Sequence, residues 1–179
     1  MGHIHSFQPI ADRNAMALIL GSMPGRASLA AKQYYAHPQN AFWRIMSELL
    51  QFDPNAAYPA RIQLLKSARI ALWDVLQSCS REGSLDAMIE SDTEVPNNFH
   101  SFLQSHKQIT HIFFNGAKAE ASFNRHVLRH INIRPLSYAR LPSTSPANSA
   151  MSFARKADLW RLILGPNQQS HMRPDGEQG

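Results

Sequence analysis

The sequence predicts an α/β fold, a three-layer sandwich in which a central four-stranded parallel sheet is flanked by helices. Three observations predict it. First, four short runs read as strands: AMALIL from Ala15, ARIALW from Ala68, THIFF from Thr110 and LSYARL from Leu136. Second, helix-patterned segments separate consecutive runs, and strands joined through helices form parallel sheets with helices on both faces. Third, a polar cluster follows each run: Ser22-Met23, Asp74, Asn115 and Ser143-Thr144-Ser145. In such sheets the carboxyl ends of the strands are where ligands bind, so these clusters converge on one site.

The chain has 179 residues, 44% hydrophobic and 17% charged, enough apolar content for one core. We read a single domain over 15–164. Residues 1–14 form an arm packed on the sheet edge, and the apolar-poor tail 165–179 is expected to be disordered. The net charge of +5 points to a polyanion, either nucleic acid or an anionic membrane surface. No apolar run reaches the roughly 18–20 residues of a membrane span, and MGHIHSFQPI lacks the apolar core of a signal peptide. A cytoplasmic protein with access to DNA, and no membrane partner, is the expectation. The lone cysteine, Cys79, excludes an internal disulfide and any cluster needing four thiolates, and reads as a small buried hydrophobe. No Gly-x-x-x-x-Gly-Lys-Ser/Thr or Gly-x-Ser-x-Gly motif is present.

Taken in order, AMALIL has no polar alternation, which marks a buried strand, and GSMPG ends it in a turn. The long segment to Asn40 is polar and aromatic, with Tyr34, Tyr35, His37, Gln39 and Asn40 suited to recognition, and loops of this length are usually functional. An amphipathic helix over about 40–50 carries Phe42, Ile45, Met46, Leu49 and Leu50 inward and stops before Asp53-Pro54. A second helix spans Tyr58 to Ser67, with Pro59 in its first turn. After the second strand, Gln77 to Glu94 is polar, with room for a short helix near Leu85 to Ile89. Further helices are expected over 97–107, 117–130 and 149–164. His126 and His130 stand four apart on one of them, yet no carboxylate or cysteine joins them and no metal site is expected. Arg125, Arg129, Arg134 and Arg140 suit a solvated face or a DNA track equally.

GSMPG after the first strand, YYAHPQNAFW in the next loop and LPSTSP after the last strand resemble the uracil-DNA glycosylase superfamily. Within it the chain is most similar to the mismatch-specific enzymes and, closer still, to the hypoxanthine-DNA glycosylase branch. The resemblance runs from about Ser6 to Leu164. It implies a DNA glycosylase of base-excision repair that needs no metal or other cofactor. Such an enzyme acts as a monomer on double-stranded DNA, where it removes a deaminated base, hypoxanthine first. A uracil or mismatch glycosylase of the same fold is the enzyme alternative, and a catalytically silent damage-binding module is the alternative from another class. The chain departs from the wider superfamily at Met23, where an Asp or Asn usually handles the attacking water, and at Leu141, often His or Asn. Large apolar residues are absent from Thr144-Ser145-Pro146, where relatives often carry a leucine. The hypoxanthine branch likewise lacks the first-motif carboxamide and relies on an Asn in the block matching HPQN, which assigns catalysis to Asn40.

A glycosylase draws its nucleotide out of the stack and stabilises a dissociating C1′–N bond, which placed dipoles can do without a covalent nucleophile. The carbonyl of Asn40 can aim a water and its NH2 can donate, with no dependence on pKa. Hypoxanthine and uracil share a lactam edge, an acceptor carbonyl beside an N–H donor. Asn115 can match both groups, in a catalytic and base-binding role. Asp74 can accept from the ring N–H, Tyr35 matches the base-stacking aromatic of the mismatch-specific relatives, and Met23 belongs to the base-binding set. Ser22, Ser143, Thr144 and Ser145 sit in turns suited to the DNA backbone. Simpler roles stand beside these: Asn40 as a helix cap, Asn115 as a turn residue, Asp74 as a hydrogen-bond anchor and the serines as turn formers.

Overall fold

A computed structural model describes residues 2–165. The expected tail therefore lies, beyond Gly165, outside the described residues. In chain order the elements are β1 (Gly2–His5), β2 (Ala17–Gly21), α1 (Arg26–Ala31), α2 (Phe42–Leu50), α3 (Tyr58–Ser67), β3 (Ile70–Asp74), β4 (Leu76–Arg81), β5 (Val95–Pro96), α4 (Phe99–Ser105), β6 (His111–Asn115), α5 (Ala117–His126), β7 (Ser137–Leu141) and α6 (Phe153–Trp160). Four of the strands form a parallel sheet in the order β3-β2-β6-β7.

β2 is buried along its whole length because both of its faces are covered, which explains the unbroken apolar run. Leu18 and Leu20 face one core with Trp73, Ile112 and Phe114, and helices α4 and α5 close it with Phe99, Leu103 and Phe123. Ala17 and Ile19 face the other core with Leu72 and Phe113, closed by Phe42, Ile45 and Met46 of α2 and Trp160 of α6. This alternation makes the three layers. It also fixes the register, so that Gly21, Asp74, Asn115 and Leu141 emerge together at the carboxyl edge.

A second sheet departs from the expectation. The polar segment expected from Gln77 begins instead inside a strand, β4 (Leu76–Arg81), which pairs antiparallel with β1 on one side and β5 on the other. Its buried residues include Ser78 and Cys79, small side chains that carry no hydrophobic alternation for a sequence reading to find. The N-terminal residues thus contribute a strand of this sheet at Gly2–His5, while Ile10 pairs with Leu72 at the edge of the main sheet. Cys79 is fully buried.

Other expectations are corrected in detail. The helix from Ala117 ends at His126, and His130 lies on a separate 3-10 turn, Leu128–His130. His126 instead meets Glu94 at 2.8 Å, and Glu94 also receives Ser122 and Lys118, tying α5 to the segment before β5. Burial pushes the Glu94 carboxyl up, but these donors outweigh it and hold the group below its ordinary range. Among the described residues no group of three or more His, Cys, Asp or Glu gathers as metal ligands. Arg134 donates to the carbonyls of Leu103, His106 and Ile109 at the end of α4, and Arg140 pairs with Glu120 at 3.1 Å, so two of the four arginines have work inside the fold. None of the described helices is long and apolar enough to cross a membrane.

Candidate active site

At the carboxyl edge of the sheet lies a cavity of about 720 Å³, within the range of small-ligand sites. Ser22, Met23, Tyr35, Asn40, Asp74, Asn115, Ser143, Thr144 and Ser145 all line it. They come from four strand ends and the loop before α2, and the topology alone gathers them.

Gly21 forms the floor. A Cβ there would stand 2.5 Å from Asp74 Oδ1 and 3.0 Å from the Tyr35 hydroxyl, closer than side chains tolerate. Gly21→Ala is therefore expected to lower unfolding stability by about 1–3 kcal/mol through overpacking. Urea denaturation checks this, and an alanine variant as stable as the parent would mean that the floor yields. Asp74 is 3% exposed, and its Oδ2 has no hydrogen-bond partner. Burial, then the neighbouring Asp86 carboxyl, raise its pKa to about 8, with Arg81 offsetting part of the rise. At neutral pH Asp74 is thus mainly a neutral acid, carrying one donor and one acceptor.

Tyr35 has a left-handed backbone (φ 55°), uncommon for a bulky residue. That conformation stacks its ring on Phe42, centroids 4.1 Å apart, and buries a hydroxyl with no hydrogen-bond partner. Burial and then Asp74 push that hydroxyl above its ordinary range, so it stays protonated. Tyr34, expected to recognise a ligand, lines the cavity but is largely part of the core: it is 4% exposed, and its hydroxyl donates to the Gln8 carbonyl. Met23 is likewise buried beside Leu20 and Trp73 and gives the cavity an apolar wall.

Both asparagines hold structure as well as facing the cavity. Asn40 Oδ1 accepts from the Phe42 N–H at 3.0 Å, bracing the start of α2. An amide oxygen accepts a second hydrogen bond, so this contact leaves one lone pair of Oδ1 and the NH2 available. Asn115 is clamped by Thr144: its Nδ2 donates to Oγ1 and its Oδ1 accepts from the backbone N–H, both at 2.9 Å. Beyond this clamp Asn115 keeps one N–H and one lone pair on the cavity side, beside the Tyr35 hydroxyl, whose raised pKa it partly offsets. Thr144 is 1% exposed; its carbonyl accepts from the Ala41 N–H and its hydroxyl oxygen accepts from Asn115, so both groups hold the fold together. This latch fastens the loop after β7 to the ends of β6 and α2. Gly116, at φ +93°, lets Ser143 close over it, since a Cβ would come within 3.0 Å of the serine Cβ.

The serines are also engaged. Ser143 Oγ accepts from the Ser145 N–H and Ser145 Oγ from the Ala147 N–H, as turn-forming serines do. Ser22 Oγ donates to Asp86 Oδ1 at 2.7 Å, which puts a carboxyl group where a phosphate was expected. Asp86, on a 3-10 turn far away in sequence, was not singled out by sequence reasoning. Nor was Arg81, buried behind it with one guanidinium nitrogen unpartnered. Composition gives no signal for either, because their importance lies in whom they meet.

Residues 8–164 match the Uracil DNA glycosylase superfamily. Two similar proteins are named hypoxanthine DNA glycosylase. The one from Methanosarcina barkeri is 39% identical over 114 residues, 63% of this chain and 71% of the relative. The one from Methanosarcina acetivorans is 35% identical over 161 residues, 88% of this chain and 96% of the relative. The solution NMR structure of a candidate uracil DNA glycosylase from Methanosarcina acetivorans matches the fold with a TM-score of 0.74 at 32% identity, covering 90% of this chain and 99% of that one. With its four-stranded parallel sheet, its cavity at the strand ends and a match over nearly its whole length, the chain belongs to the uracil DNA glycosylase superfamily.

Proposed function

We infer that the protein is a DNA glycosylase of base-excision repair that draws a deaminated nucleotide from duplex DNA and hydrolyses its glycosidic bond, with hypoxanthine as the preferred base. One observation carries the reading. The cavity brings Asn40, Asp74, Asn115 and Tyr35 together in a chain 35–39% identical to two hypoxanthine DNA glycosylases. In this reading the base lies against Tyr35, whose other neighbour is the Phe42 ring. Asn40 holds the attacking water: its oxygen, already fixed by the Phe42 N–H, accepts from the water and aims it at C1′. Water oxygen adds to C1′ as the C1′–N bond breaks, the bonding pair leaves with the base, and the proton that the water gives up ends on the departed base.

Lactam reading passes largely to Asp74, because Asn115 is half-engaged with Thr144. A neutral carboxyl pairs naturally with a lactam: its O–H donates to the base carbonyl while its C=O accepts from the ring N–H. Negative charge accumulates on the departing base, and a neutral donor stabilises it where a carboxylate would repel it. The net charge of +5 favours a DNA partner, and the protein acts as a monomer in the cytoplasm, with access to DNA.

Single-turnover incubation with duplexes carrying one deoxyinosine or one deoxyuridine, followed by alkali, tests this. Cleavage at deoxyinosine at least about tenfold faster than at deoxyuridine is expected, because the two bases share the lactam edge and the larger purine gains more from stacking on Tyr35, a contact worth roughly 1–3 kcal/mol per base. Preference for deoxyuridine would make it a uracil enzyme, and tight binding without cleavage would make it a silent module.

A further inference from the structure

We propose that Leu85 is the side chain that enters the DNA stack and fills the gap when a nucleotide moves into the cavity. The inference rests on the glycosylase reading above. A base must leave its stack before it can enter a pocket. The vacated step is unfavourable unless something takes its place, and proteins that open duplexes insert Phe, Leu, Ile, Met or Pro as wedges. The requirement is geometric: a large apolar side chain, exposed, at the mouth of the cavity, on rigid backbone.

Leu85 meets every part of it. Among the described residues, the exposed large apolar side chains are Leu85, Met88, Val95, Leu128, Tyr138 and Leu162, and of these Leu85 alone lines the cavity. It is 55% exposed. Of the loop after β7, the apolar residues that line the cavity are Pro146 and Ala147, both with short side chains. Single apolar residues scattered over a surface need no explanation. One at the mouth of a base-sized cavity, fastened from both sides, is different. Before it, Ser84 Oγ accepts from the Arg26 N–H at 3.0 Å; after it, Asp86 accepts from Ser22 at 2.7 Å, and Ile89 is buried and bridged to Arg81. Leu85 is therefore held out on a braced turn, so little conformational freedom is lost when it inserts. Met88, 49% exposed and one 3-10 turn further on, broadens the apolar ridge.

A wedge matters only where there is a stack to open, and this makes the test specific. Single-turnover rates of the parent, Leu85→Ala and Leu85→Phe are measured on deoxyinosine and deoxyuridine in duplexes and in single strands. Fluorescence of 2-aminopurine beside the lesion reports unstacking. Leu85→Ala is expected to slow duplex cleavage by about tenfold or more, to stay within about twofold of the parent on single strands, and to lose the fluorescence rise. Leu85→Phe, which keeps an apolar plug, stays near the parent. The wedge is overturned if Leu85→Ala matches the parent on duplexes, or if it loses the same factor on both forms, which would indicate damage to the cavity. A parent active on single strands alone also overturns the wedge, but leaves the glycosylase reading standing. Should the parent act on duplexes alone, the fluorescence decides. A parent that releases no base from any substrate ends both.

Discussion

Asn40→Ala is expected to slow base release by about 10²–10³-fold under single-turnover conditions, the usual loss when one preorganised polar contact to a transition state is removed. DNA binding should change little, because no phosphate contact is assigned to this side chain. The substitution also removes the acceptor for the Phe42 N–H, which predicts a stability loss of about 1 kcal/mol. The two effects separate in Asn40→Ser. A serine hydroxyl can accept from the same N–H and restore stability, but it presents no amide to hold a water and donate beside it. A stable Asn40→Ser that remains slow supports catalysis by the amide. An Asn40→Ser as fast as the parent would reduce Asn40 to a brace for α2.

That double role also marks how far the sequence could be read. The strands of the parallel sheet were legible because both faces of β2 are buried and each strand runs into a polar turn, so pattern and packing agree. β4 was not legible, since Ser78 and Cys79 are buried without being strongly apolar, and β1, GHIH, is mostly exposed. Helix α1 was missed because RASLAA is too short to show a face. At the site, the identity of the side chains was readable and their partners were not. Asn115 suggested a base reader, yet the hydrogen bonds that clamp it come from Thr144, which enters on another strand's loop. Ser22 suggested a phosphate contact until Asp86, 64 residues away, took its hydroxyl. Long-range polar pairing leaves no periodic trace, and in this cavity it decides which groups stay free.

The same long-range pairing sets the protonation of Asp74 and yields the second large effect. Release of hypoxanthine should be level through neutral pH and fall about tenfold per pH unit above about 8, where Asp74 ionises in its buried site. Ionisation removes the donor to the base carbonyl and puts a negative charge against a leaving group that is itself becoming negative. Asp74→Asn keeps one donor and one acceptor at every pH; it should stay within about tenfold of the parent at pH 7 and lose the alkaline limb, while Asp74→Ala loses about 100-fold. Any alkaline fall that remains in Asp74→Asn belongs to the lactam N–H of the base, a loss both proteins share. Stability supplies an independent reading. The folded pKa of about 8 lies above the ordinary 3.8, so folding takes up a proton between these values, and this group's contribution to stability declines as pH rises through that window. Asp74→Asn removes the decline, so its melting temperature should exceed the parent's by a margin that widens from pH 5 to pH 8. Parallel melting curves across that range would mean that Asp74 is already ionised at neutral pH and that Arg81 outweighs burial and Asp86 together.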